Sequence, residues 1–99
     1  MMQRLAGKIV FITGIGGGMG RQAAITFARE GAKVVGCDLF EEPANETVEI
    51  VRKAGGEITN IAPVNLSDAE ATKQWIQQAL DVYGGCDILY NNASTPKFG

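Results

Sequence analysis

Four apolar, strand-like segments alternate along the chain with three longer segments whose apolar residues recur at helical spacing. The first apolar run is Lys8 to Thr13, dense in β-branched residues. The second, Lys33 to Asp38, is apolar without alternation, as expected of a strand covered on both faces. The third spans Glu57 to Val64, where Pro63 weakens the far end or marks an edge. The fourth runs from about Asp87 to Asn91. Between them, helical spacing predicts a first helix from about Met19 to Glu30, with Met19, Ala23, Phe27 and Ala28 on one side and Gly31 as its stop. A second helix is expected over Pro43 to Ala54, with Pro43 in its first turn, Val48, Val51 and Ala54 on one face, and Gly55-Gly56 ending it. Ser67, with Glu70 three residues on, reads as a capping box that opens a third helix. Its apolar stripe is Thr72, Ile76, Ala79, Leu80 and Tyr83, with Trp75 on the border. These residues read as core rather than as a cofactor box.

The order β-α-β-α-β-α-β implies an α/β fold with a parallel sheet and right-handed crossovers. No repeat, low-complexity tract or linker composition divides the chain, so residues 1–99 read as one domain.

One junction between strand and helix carries chemistry. The first strand ends in Thr13-Gly14 and runs through Gly16, Gly17, Gly18 and Gly20 into the first helix. A glycine cluster has meaning when a strand precedes it and a helix follows. Gly14 permits a tight turn, Gly18 places no Cβ in the way of a pyrophosphate, and Gly20 lets helix and strand pack closely. The helix N-terminus adds unsatisfied backbone N–H groups and a partial positive charge, which attract phosphate. Asp38 ends the second strand, eighteen residues beyond Gly20. A carboxylate there accepts both hydroxyl protons of an adenosine ribose and repels a 2′-phosphate, so NAD is expected over NADP. Neither Gly17 nor the stretch Leu39-Phe40-Glu41-Glu42 supplies a positive charge, in agreement with that preference.

Composition narrows the alternatives. Hydrophobic residues are 45% of the chain and charged residues 20%, which fits a folded globular protein and not a disordered one. The net charge of −2, without a basic cluster, argues against nucleic acid or an anionic membrane as partner. No apolar run reaches bilayer-spanning length, and MMQRLAGK lacks a signal-peptide core, so a cytoplasmic protein is expected. Histidine is absent, which removes the commonest metal ligand and the commonest general base; no metal site is expected. Cys37 and Cys86 lack CxxC spacing and read as spectator thiols.

Thr13, Gly14, Gly18 and Gly20 match the TGxxxGxG motif of the short-chain dehydrogenase/reductase family, and Asn91-Asn92-Ala93-Ser94 nearly matches its NNAG motif. With Asp38, three ordered motifs spread over nearly the whole chain resemble that family. The resemblance implies a Rossmann-like half-sheet of strand order 3-2-1-4. It implies cofactor contacts at Thr13, Gly14, Gly16, Gly18, Met19, Gly20, Asp38, Leu39, Asn91, Asn92 and Ala93. Asn65 and Leu66 stand where the family often presents an Asp and an apolar residue to the adenine. Ser94 departs from the last Gly of NNAG. The family's catalytic Ser and YxxxK motif match no position here: Tyr83 is followed four residues on by Asp87, and Tyr90 by Ser94. No catalytic residue is therefore assigned, and NAD binding is expected to be weak. A half-sheet of this kind leaves its fourth strand and one face uncovered, so self-association through that edge or face is expected. Completion by another chain supplying Ser, Tyr and Lys, or service as a structural oligomerisation module, are the other readings.

Overall fold

The apolar runs form strands and the periodic segments form helices in the expected order. The computed structural model describes residues 4–92. It consists of β1 (Ile9–Thr13), α1 (Gly18–Arg29), β2 (Lys33–Cys37), α2 (Glu41–Lys53), β3 (Glu57–Ile61), α3 (Ala69–Tyr83) and β4 (Ile88–Asn91). All strand pairs are parallel and the sheet order is β3-β2-β1-β4, as the resemblance implied. This is a Rossmann-like arrangement. The register aligns Thr13 with Cys37 on one side and Asn91 on the other. The residues just beyond these strand ends, Gly14, Asp38 and Asn92, therefore meet along one edge of the sheet.

Alternation along the strands builds two cores. Val10, Ile12, Val34 and Ile58 point to the face covered by α1 and α2, where Ala24, Ala28, Val48 and Val51 pack on them. Phe11, Val35 and Cys37 point to the opposite face, where Trp75 and Ala79 of α3 meet them. The Phe11 and Trp75 rings lie 5.7 Å apart at a tilt of 58°. α3 reaches only part of its face. Leu89 of β4 stays 59% exposed and Ile76 42% exposed. They border an open cleft of about 400 Å³ whose walls also include Phe11, Leu66, Trp75 and Leu80.

Several boundaries and stripes differ from the sequence reading. α3 is capped by Asp68 and not by Ser67: the Asp68 carboxylate accepts from the N–H groups of Glu70 and Ala71 at 2.9 and 3.3 Å. A charged acceptor outcompetes a hydroxyl for these amides, while the Ser67 N–H donates to Asn65 Oδ1 at 2.9 Å. β3 ends at Ile61 instead of Val64, whose N–H turns to the Asp38 carbonyl at 2.8 Å. α2 begins two residues before Pro43 and closes at Lys53, leaving Ala54 exposed. The buried line of α1 is Gly20, Ala24 and Ala28, not one led by Met19, which is 70% exposed. Small residues bring α1 close to the sheet, a packing that hydrophobicity alone does not mark. On α3, Trp75 sits at the centre of the contact, and Ile76 faces the uncovered β4 side.

Candidate functional site

The turn from β1 into α1 is shaped by what a side chain would hit. Gly14 adopts φ 74°, the left-handed region that favours glycine, and its N–H donates to the Cys37 carbonyl at 2.8 Å. A Cβ on Gly20 would lie 1.8 Å from the Gly14 carbonyl oxygen, so only glycine lets the helix start here. Ile15 is fully buried beneath the loop and sits over Gly36, where a Cβ would come within 2.5 Å of its Cδ1. On the outer side the situation reverses. Among the described residues a Cβ on Gly17 or Gly18 would meet nothing within 4 Å, and both residues are exposed.

The first turn of α1 is electrostatically bare. Its N-cap, Gly17, provides no side-chain hydrogen bond, and no acidic residue stands in the first turn. Among the described residues no side chain caps the N–H groups there, which carry the positive end of the helix dipole.

Asp38 stands beside this mouth. Its Oδ2 accepts from the Gly16 N–H at 2.7 Å and its Oδ1 from the Phe40 N–H at 2.9 Å. A carboxylate offers about four acceptor positions, so each oxygen retains capacity for a further donor. Asp38 is half-buried, and the exposed Leu39 and Phe40 extend the rim.

The asparagines of the fourth strand end tie the edge together. The Thr13 hydroxyl donates to Asn91 Oδ1 at 2.9 Å and accepts the Asn92 N–H at 2.9 Å. Asn92 Nδ2 reaches the Gly14 carbonyl at 3.3 Å. These three side chains couple the end of β4 to the glycine turn. Asn65 is exposed, its carbonyl oxygen already engaged by Ser67 N–H, and Leu66 faces the α3-side cleft. Ala93 lies outside the described residues.

Four residues that carry this geometry were absent from the sequence-derived set: Ile15, Arg21, Gly36 and Thr47. Arg21 Nη2 donates to the Gly16 carbonyl at 2.9 Å, and its Nε to the Thr47 hydroxyl at 2.8 Å. Thr47, fully buried, donates in turn to the Ile15 carbonyl at 2.6 Å. A signal existed for Thr47: it is the polar member of the line Ala44, Thr47, Val48, Val51, all buried at helical spacing.

Of the two thiols, Cys37 is buried and Cys86 is exposed. Burial pushes the Cys37 thiol up to about 12, with a smaller push from the Asp38 charge and partial relief from the Gly14 backbone N–H. Partial burial raises Cys86 as well, against weaker relief from backbone hydrogen bonds. Among the described residues no helix is long and apolar enough to cross a membrane.

Comparisons with known proteins agree with this fold. The family model described as short chain dehydrogenase matches residues 8–99. An uncharacterized oxidoreductase of Thermotoga maritima is 43% identical over 93 residues, which are 94% of this chain and 36% of that protein. Among solved structures, a hydroxysteroid dehydrogenase from Escherichia coli superposes with a TM-score of 0.88 at 35% identity, covering 94% of this chain and 39% of that one. A carveol dehydrogenase from Mycobacterium avium in complex with NAD gives 0.87 at 30% identity, covering 99% and 39%. The chain thus spans little more than a third of the length of these relatives. A glycine turn, a bare helix start and an acidic strand end occur here inside a matching half-sheet, and the chain belongs to the short-chain dehydrogenase family.

Proposed function

We propose that this chain is the nicotinamide-dinucleotide-binding portion of a short-chain dehydrogenase-type oxidoreductase, with NAD preferred over NADP. The fit rests on two faces of one loop. Gly17 and Gly18 leave the outer side clear of side chains, and the uncapped N–H groups of α1 face the same opening. Those amides suit a diphosphate. Asp38 suits the adenosine ribose, since its carboxylate is already held by two backbone N–H groups and still has acceptor capacity. Thr13, Gly14, Gly20, Asn91 and Asn92 set the shape of the opening. Gly16 holds Asp38, while Met19, Leu39, Asn65, Leu66 and Ala93 complete the proposed lining. When bound, the dinucleotide supplies hydride transfer.

The single observation that carries the preference is the Asp38 carboxylate at hydrogen-bond distance from the loop amide of Gly16. A 2′-phosphate there would meet like charge. Isothermal titration of the chain with NAD and NADP is expected to show the first binding more tightly, and Asp38→Ala to reduce that preference by about tenfold. Equal affinities in the unaltered chain would remove Asp38 from this role.

The family's catalytic Ser, Tyr and Lys match no position among these 99 residues. The chain on its own is therefore proposed to bind nucleotide without turning over substrate, with catalysis requiring residues supplied by further polypeptide. Self-association is proposed as a companion property, because β4 has one sheet neighbour among the described residues and Leu89 is exposed beside an apolar cleft. A monodisperse monomer in light scattering at micromolar concentration would count against it.

A further inference from the structure

Three consecutive glycines, Gly16 to Gly18, have no intrinsic conformational preference, so something outside the loop must hold it. The hydrogen bonds show what does. The Ile15 carbonyl accepts the Thr47 hydroxyl at 2.6 Å, and the Gly16 carbonyl accepts Arg21 Nη2 at 2.9 Å. Arg21 Nη2 also lies 3.0 Å from the Pro43 carbonyl and 3.1 Å from Glu46 Oε1, while Nε is fixed on Thr47. One guanidinium therefore joins the loop to the first two turns of α2. In a trans peptide the carbonyl and the next N–H point in opposite directions. Turning the Ile15 carbonyl to Thr47 aims the Gly16 N–H the other way, and there it meets Asp38 at 2.7 Å. By the same planarity, turning the Gly16 carbonyl to Arg21 aims the Gly17 N–H away from α2.

We propose that Arg21 is a positioning residue for the dinucleotide: by clamping the Gly16 carbonyl to α2 it orients the loop amides that receive the diphosphate. This rests on the nucleotide-binding reading above. The guanidinium itself faces protein acceptors, so its effect on ligand passes through the loop. The Glu46 contact adds little, since Glu46 is largely exposed. The clamp lies in the carbonyl contacts and Thr47.

The test uses ADP-ribose and adenosine as probes on the full chain and on Arg21→Ala, with Thr47→Val as a second, shape-conserving variant. Backbone ¹⁵N relaxation is expected to show Gly16 to Gly18 as rigid as the neighbouring elements in the unaltered chain, and mobile in R21A. ADP-ribose affinity is expected to fall about tenfold in R21A and several-fold in T47V, the size of losing charge-assisted hydrogen bonds. Adenosine, which lacks the diphosphate, should shift the amide resonances beside Asp38, such as Phe40, with affinity changed by less than about twofold, a split that general destabilisation would not produce. A loop that stays rigid in R21A, or ADP-ribose binding that survives a loosened loop, overturns the positioning role while leaving the nucleotide reading intact. Failure of the unaltered chain to bind ADP-ribose overturns both.

Discussion

The starts of α1 and α3 solve the same problem in opposite ways. Each helix begins with backbone N–H groups that lack intrahelical partners. At α3 the Asp68 carboxylate takes two of them, and Glu70 adds negative charge in the first turn. At α1 the cap is Gly17, which takes none, and the first turn is free of acid. The acid nearest to α1 in function, Asp38, comes from another strand and binds the loop amide of Gly16. A capping side chain and an anionic ligand compete for the same donors. On the proposed reading, a helix start that is packed tightly underneath yet left without a cap outside trades stability for binding.

Changes at the two starts should separate packing from binding. The largest effect is expected beneath α1, at Gly20→Val. Its Cβ would lie 1.8 Å from the Gly14 carbonyl oxygen, with Asn92 Nδ2 also close at 2.8 Å. Backbone has to move, and a loss of about 3 kcal/mol or more should abolish or broaden the thermal transition followed by circular dichroism. Next comes Gly17→Asp, which gives α1 the cap that α3 has. Gly17 is extended, at φ 177° and ψ 175°, with open space around its Cβ position. Dinucleotide affinity should fall by about tenfold in calorimetry while thermal stability holds or rises by up to ~1 kcal/mol. A parallel loss of stability would sink the competition between cap and ligand. Asp68→Ala makes the opposite change, and should cost about 1 kcal/mol in denaturant melts with nucleotide affinity unaltered.

The smallest effect concerns Cys37, which ends β2 directly before Asp38. Its thiol is raised from 9.0 to about 12 in the folded chain. Between those values the unfolded chain has released a proton that the folded chain keeps, so rising pH favours unfolding. This stability is complete below about pH 9 and lost progressively as pH climbs toward 12; by about pH 9.5 the loss is somewhat under ~1 kcal/mol. Comparing pH-dependent melts of the unaltered chain and Cys37→Ala checks this, with a shallower alkaline decline expected in the variant.

The same contrast explains what could be read before folding. The positions of Gly14, Gly20 and Asp38 were legible because each stands at a fixed offset from a strand end, whatever the rest of the chain does. Thr47 and Arg21 were not, because their partners lie on other elements: Thr47 acts on Ile15 thirty-two positions away, and Arg21 on Thr47 twenty-six away. Ser67 and Asp68 show a local failure of the same kind. Both suit an N-cap, and the choice was settled when the Asp68 carboxylate took the Glu70 and Ala71 amides. On α1 and α3 the buried lines were misplaced because burial depends on where the neighbouring layer stops. Met19 and Ile76 are apolar residues that no layer covers among the described residues.

By itself the sequence determined the order of strands and helices, the glycine turn and the acid at the end of β2, since these follow from periodicity, backbone freedom and charge within short windows. Tertiary structure alone decided which donors and acceptors of the turn are engaged by protein. Parallel register brought Gly14, Asp38 and Asn92 to one edge, and only there could carboxylate, guanidinium and hydroxyl groups from separate elements divide the loop's donors and acceptors among themselves.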